Sequence, residues 1–197
     1  MTKAELRDAV LRRRRLISAE QRHAEADALR GHLPALVRAG QTVCAYVPVG
    51  SEPGSPAMLD VLAGLGRVLL PVAREDETGF PQPLQWGEYR VGALQDGLVD
   101  ARFGLREPEP PWLDVDAIAT ASVVLVPALA VDLAGVRLGR GAGFYDRSLV
   151  WADPAAKLVA VVRDDELVDR LPAEDHDVTM THALTPGRGL VALGERD

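Results

Sequence analysis

The sequence predicts an α/β protein built on an open, mainly parallel sheet flanked by helices. Two observations carry that prediction. Four apolar runs, "TVCAYV" (42–47), "RVLLPV" (67–72), "SVVLVPA" (122–128) and "KLVAVV" (157–162), are rich in Val and Leu and continuous rather than alternating, the pattern of strands buried on both faces. Helical periodicity, punctuated by glycine and proline, lies before and between them, as in alternating strand–helix folds. A length of 197 residues predicts a single domain over 1–197.

The elements follow in order. Residues 2–38 read as two helices. Leu6, Val10 and Ile17 stay on one side of the first, while Arg7, Arg12, Arg14 and Arg15 spread over the rest; the run Arg12–Arg15 reads as a solvated helix face. "SAEQ" (18–21) has the form of a capping box for the second helix, whose apolar stripe is Leu29, Leu33, Leu36 and Val37 before a stop near Gly40. "SPAMLDVLAGLG" reads as a third helix, with Pro56 near its start and Gly66 past its end. Residues 74–112 hold five prolines around a β-like piece, "LQWGEYRV", and read as an insertion of loops and small strands packed on the sheet.

Composition limits the partners. A formal net charge of −7 repels nucleic acid and anionic membranes, so neither is expected as a partner. The N-terminus is charged from its third residue and has no hydrophobic core of a signal peptide, and no apolar run is long enough to span a bilayer. A cytoplasmic monomer is the expectation. The single cysteine, Cys44, lies in an apolar run and reads as a buried strand residue.

The most informative stretch is "GVRLGRGAGFYDRSL" (135–149), between an apolar run and a segment able to start a helix. Strand, glycine loop and helix in that order can bind an anion, because glycines let the backbone approach closely and free amides point outward. Arg137 and Arg140 add charges suited to bidentate phosphate contact. The Gly-Lys-Ser/Thr ending of a P-loop is absent, and no acidic ribose partner of a dinucleotide fold is evident. Spacing alone also fits a glycine-rich turn with two solvated arginines. Asp146 is placed either to meet a Mg²⁺ ion between phosphates or to complement a helix dipole.

"RLGRGAGFYDRSL" closely resembles the signature of the 5-formyltetrahydrofolate cyclo-ligase family. The likeness extends to "PALAVDLAGVRLGRG", to the opening "KAELRDAVLRRRRLISAEQR", to "YVPVGSEP" and to "LVDRLPAEDHDV". The resemblance implies an ATP-driven, Mg²⁺-dependent conversion of 5-formyltetrahydrofolate to 5,10-methenyltetrahydrofolate, with ATP as co-substrate. It implies that Lys3 and Arg7 reach the ATP and that Arg137, Leu138, Gly139, Arg140, Gly141, Ala142, Gly143, Phe144 and Tyr145 line its phosphates. Arg140 would stabilise the transferring phosphoryl group as the catalytic residue. Asp146 and Asp177 would hold Mg²⁺, and Val47, Glu52, Phe103 and Phe144 would contact the folate. His176, beside Asp177, is assigned a surface or structural role. Two departures stand out: Phe144 where the family commonly has Tyr, and Thr181 where it often has a carboxylate. They motivate an alternative on the same fold, a folate-binding buffer or sensor that turns over poorly.

Overall fold

A computed structural model describes residues 2–92, 97–174 and 177–194; the side chain of Phe103, and His176, lie outside the described residues. The elements are α1 (Lys3–Leu16), α2 (Ala19–Leu36), β1 (Thr42–Cys44), α3 (Ala57–Leu65), β2 (Arg67–Val72), β3 (Gln85–Tyr89), β4 (Leu98–Asp100), β5 (Arg106–Pro108), β6 (Val123–Pro127), β7 (Ala130–Asp132), β8 (Arg137–Leu138), α4 (Phe144–Ser148), β9 (Lys157–Val161), β10 (Leu167–Val168), β11 (His182–Thr185) and β12 (Gly189–Ala192). None of the described helices is long and apolar enough to cross a membrane.

The four apolar runs become β1, β2, β6 and β9, adjacent and parallel in a sheet of order β12-β11-β9-β6-β1-β2-β3. β11 joins parallel to β9, and the outer strands β12 and β3 pair antiparallel, completing the mainly parallel sheet that the runs predict. Alternate residues of each run face opposite ways. Val43, Val68, Val123 and Val159 pack with Leu29, Leu33 and Leu62 of α2 and α3. Cys44, Leu69, Val124 and Ala160 pack with Trp86, Ile118, Phe144 and Leu149 on the other face. Burial on both faces is why the runs are continuous rather than alternating.

The helix signals resolve in detail. Thr2, unread in the sequence, caps α1 in a full capping box with Glu5. Ser18 accepts the Gln21 N–H at 3.1 Å, but the Gln21 amide turns to Glu25, so the second box is half-formed. The insertion is more integral than its prolines suggest: β3 is an edge strand of the main sheet, and Trp86 is wholly buried in it.

The solvated reading of the arginine run is corrected at Arg14, which is 1% exposed. Its guanidinium makes two bonds to Glu166, Nε to Oε1 at 2.6 Å and Nη2 to Oε2 at 2.8 Å, and a third to Ala128 O at 2.7 Å. Without it the buried Glu166 carboxylate (2% exposed) would keep only the Arg163 amide and its more distant guanidinium as partners. Arg12, Arg13 and Arg15 are exposed as predicted.

Candidate functional site

The chain leaves β1 for β2 on one side of it, while β6 pairs on the other. That reversal opens a crevice past the carboxyl ends of β1 and β6, the usual place for a ligand in an open α/β sheet. Two loops fill its edges: residues 45–53 after β1, and the β7–β8 hairpin with the glycine loop that follows it.

The hairpin is built by Asp132. This carboxylate is 1% exposed; its Oδ1 accepts the Ala134 and Val136 amides at 3.0 and 2.8 Å, and its Oδ2 accepts Leu171 N–H at 2.9 Å. Satisfying three amides, two of them buried, fixes the turn, and the turn delivers Arg137 on β8. Leu138 puts its side chain into the core, 2% exposed. The loop then passes through Gly141 and Gly143 at φ +100° and +82°, left-handed values that favour glycine, before α4 begins at Phe144.

Two cavities meet at this loop. The smaller, about 400 Å³, is lined by Tyr46, Val47, Glu52, Leu129, Phe144 and Tyr145 among others, with Arg14 and Arg140. The larger, about 660 Å³, carries Lys3, Arg7, Arg147, Glu174 and Asp177. Arg137, Gly139, Gly141, Ala142, Gly143 and Asp146 line both, so the glycine loop is a common wall. Leu138, predicted to line the phosphates, lines neither cavity because its side chain is in the core, and the side chain of Phe103 lies outside the described residues; the other sequence-predicted residues divide between two adjoining chambers.

Charges in the chambers are paired with each other. Lys3 Nζ lies 2.9 Å from Asp177 Oδ2 and 3.3 Å from Glu174. Arg137 Nη2 donates to Asp146 Oδ1 at 2.6 Å, and Arg140 Nε lies 3.2 Å from Glu52 Oε1. Arg7 Nε donates to Gly139 O at 2.9 Å, tying α1 to the loop. Burial pushes the Glu52 carboxyl above its ordinary range, against the Val49 amide bond and the charges of Arg140 and Arg14. Burial also raises the Tyr145 phenol, with the Glu52 charge adding to it. The Cys44 thiol is raised by burial in the core, which leaves it no thiolate for chemistry.

The smaller cavity has unmet donors. Arg14 Nη1, Arg137 Nε and Tyr145 Oη are buried without a hydrogen-bond partner, and all three residues line it. Arg14 is the site residue that sequence reading missed. The signal was available: Lys3, Arg7, Val10 and Arg14 recur at helical spacing and form one stripe of α1. Thr181 lines neither cavity; its hydroxyl accepts the Leu158 amide at 2.9 Å beside β9.

Known proteins share this chain's sequence and shape. The profile of the 5-formyltetrahydrofolate cyclo-ligase family matches residues 1–186. A 5-formyltetrahydrofolate cyclo-ligase of Mycolicibacterium smegmatis is 63% identical over 98% of this chain and 97% of its own. The Escherichia coli K12 protein of the same name is 30% identical over 91% and 97%. The NMR structure of an Aquifex aeolicus 5,10-methenyltetrahydrofolate synthetase superposes with a TM-score of 0.78 at 23% identity, covering 100% of this chain and 95% of that one; at that identity the likeness speaks for the fold. A profile spanning nearly the whole sequence and a relative 63% identical from end to end agree on one assignment, and the chain belongs to the 5-formyltetrahydrofolate cyclo-ligase family.

Proposed function

We propose that this chain converts 5-formyltetrahydrofolate to 5,10-methenyltetrahydrofolate with MgATP, releasing ADP and phosphate. The observation that carries the reading is the common wall: a charged chamber and a more enclosed one share the loop 137–146. A nucleotide in the first and a folate in the second would both reach the glycine loop, and phosphoryl transfer requires the formyl oxygen and the γ-phosphorus to come into direct contact beside it.

Asp146 and Asp177 line one chamber, and among the described residues no three His, Cys, Asp or Glu gather into a metal cage. Hard oxygen donors, too few to enclose an ion, fit Mg²⁺, which takes one or two carboxylates and completes its shell with phosphates and water. When bound there it supplies charge neutralisation between the phosphates.

The residues then divide the work. Lys3, Arg7 and Arg137 hold the phosphates, and the Gly139, Gly141 and Gly143 backbone lets them approach. Glu52 orients the folate by accepting from pterin N–H groups. The formyl oxygen attacks the γ-phosphorus as the bond to ADP breaks; Arg140 stabilises the charge in transit. N10 then attacks the formyl carbon, the C–O bond breaks with its electron pair leaving on phosphate, and N10 loses its proton. A formyl oxygen is a poor leaving group, and phosphorylation is what lets it depart.

The test is the near-ultraviolet absorbance of the methenyl product, followed with wild type and Arg140→Ala. Growth that needs both ATP and Mg²⁺ and collapses in the variant supports the reading. A flat wild-type trace with folate still bound would favour the buffer. Of the two departures that motivated the buffer, Thr181 is engaged at β9 and Phe144 alone remains on a cavity wall.

A further inference from the structure

The wall of the larger cavity carries no aromatic ring among the described residues, yet a phenyl ring stands against one of its wall residues, Arg147. Residues 76–82 form a turn held by its own side chains. The Asp76 carboxylate accepts Thr78 N–H at 2.9 Å, the Thr78 hydroxyl at 2.6 Å and Phe80 N–H at 3.0 Å, and Gln82 N–H donates to Arg74 O at 2.9 Å. This rigid turn presents Phe80 with 51% of its surface exposed. Its neighbour Pro81 lines the cavity, as does Arg147 of α4.

The Arg147 guanidinium lies 4.3 Å over the Phe80 ring, and its Nη1 donates to Gly143 O at 2.9 Å. One side chain therefore joins the aromatic ring to the glycine loop. An exposed cation–π pair contributes about 0.5–1 kcal/mol, less than the roughly 1.5–3 kcal/mol of burying the ring. The turn is ordered around a ring that the fold leaves in water.

We propose that Phe80 and Arg147 form the subsite for the purine base of the nucleotide. The inference rests on the reading that the larger cavity takes ATP, and extends it. Apart from Pro81 and Ala142, the rest of that cavity is charged side chain and glycine backbone, chemistry for phosphate and not for a flat heteroaromatic ring. The guanidinium covers one face of a ring that stays half exposed; a phenyl ring backed by a planar cation is chemistry for a base, and base–aromatic stacking is worth about 1–3 kcal/mol. A volume of about 660 Å³ is within the range of small-molecule sites.

The experiment compares calorimetric affinities for Mg-ADP and Mg-pyrophosphate in wild type, Phe80→Ala, Phe80→Leu and Phe80→Trp. Phe80→Ala should weaken Mg-ADP about tenfold and leave Mg-pyrophosphate unchanged. Phe80→Trp should retain the wild-type affinity, while Phe80→Leu, apolar without a π face, should follow Ala. Equal weakening of both ligands by Phe80→Ala overturns the proposal, because the turn would then be shaping the phosphate cradle; so does no weakening of either. Turnover of wild type on MgATP in the same preparations separates the layers. Turnover with Mg-ADP affinity unmoved by Phe80→Ala removes the subsite and keeps the ATP reading, whereas a wild type that binds neither ligand and turns over nothing removes both.

Discussion

Replacing Arg14 with Met tests whether the buried ion pair holds α1 to the sheet. Arg14 and Glu166 are 1% and 2% exposed and joined by two bonds of 2.6 and 2.8 Å. Removing one partner of a buried pair costs about 3–5 kcal/mol, mostly because the other charge is left without compensation. Here part of that is met: Glu166 still accepts the Arg163 amide at 2.8 Å, and the Arg163 guanidinium lies 3.9 Å away. The lower end applies, about 3 kcal/mol, or roughly 6–12 °C in melting temperature for a chain of this size. Urea unfolding by circular dichroism measures it. Adding Glu166→Gln removes the stranded charge while keeping an acceptor for Arg163, so the double variant should recover about half of the loss. A single variant within about 1 kcal/mol of wild type, or a double variant no better than the single, would refute the reasoning.

Further expectations concern the chambers. Arg140→Ala should lower kcat by about 10³-fold or more, the scale of a phosphate-stabilising arginine, with the protein still folded and only a small loss of melting temperature, because Arg140 is half exposed although its partner Glu52 is nearly buried; a kcat within tenfold of wild type would contradict its role. Glu52→Gln should stabilise the free protein at neutral pH while weakening folate binding. The raised carboxyl of Glu52 makes its ionised form a liability at pH above its folded value, and the advantage of Gln should vanish as pH falls below the ordinary carboxyl value; thermal melts across that range read it out, and an advantage growing with acidity would reverse the sign. Asp146→Asn frees Arg137 from its 2.6 Å partner and should tighten binding of metal-free pyrophosphate while weakening Mg-ADP. Calorimetry with and without metal decides it, and a parallel loss of both would discount Asp146 as a metal ligand.

The sheet was legible because its central strands are buried on both faces, which leaves a mark in composition. The remaining strands left weaker marks. β7 and β8 are three and two residues long and merge in the sequence with the apolar run before them and the glycine loop after them; what separates them is Asp132, whose role depends on three amides it meets only in the fold. β3 was legible as the β-like piece "LQWGEYRV", but its pairing as an edge strand of the main sheet was not. The glycine loop and its charges were legible as residue types, but their pairing was not. Lys3 and Asp177 are 174 positions apart, and no local rule predicts that ion pair. Arg14 was misread because four consecutive arginines circle a helix, and only one of them lies on the stripe with Lys3 and Arg7.

The pairing of site charges constrains how an anion enters a protein of net charge −7. On the larger cavity's wall Lys3, Arg7, Arg137 and Arg147 face Asp146, Glu174 and Asp177, so among the described residues the cations exceed the carboxylates by one. A metal-free triphosphate carries far more charge than that excess neutralises, and it would meet Lys3 and Arg137 already held by Asp177 and Asp146. On the proposed reading a divalent ion changes both terms together. Asp146 and Asp177 would hold it, and Lys3 and Arg137, released from them, would turn to the phosphates. Metal and nucleotide then favour each other by linkage, without any rearrangement of the backbone. The Arg140–Glu52 pair poses the same exchange in the smaller chamber. On the same reading a folate that takes Glu52 would release Arg140 toward the shared wall, so the arginine assigned to the transferring phosphate would be freed when the acceptor of that phosphate is in place.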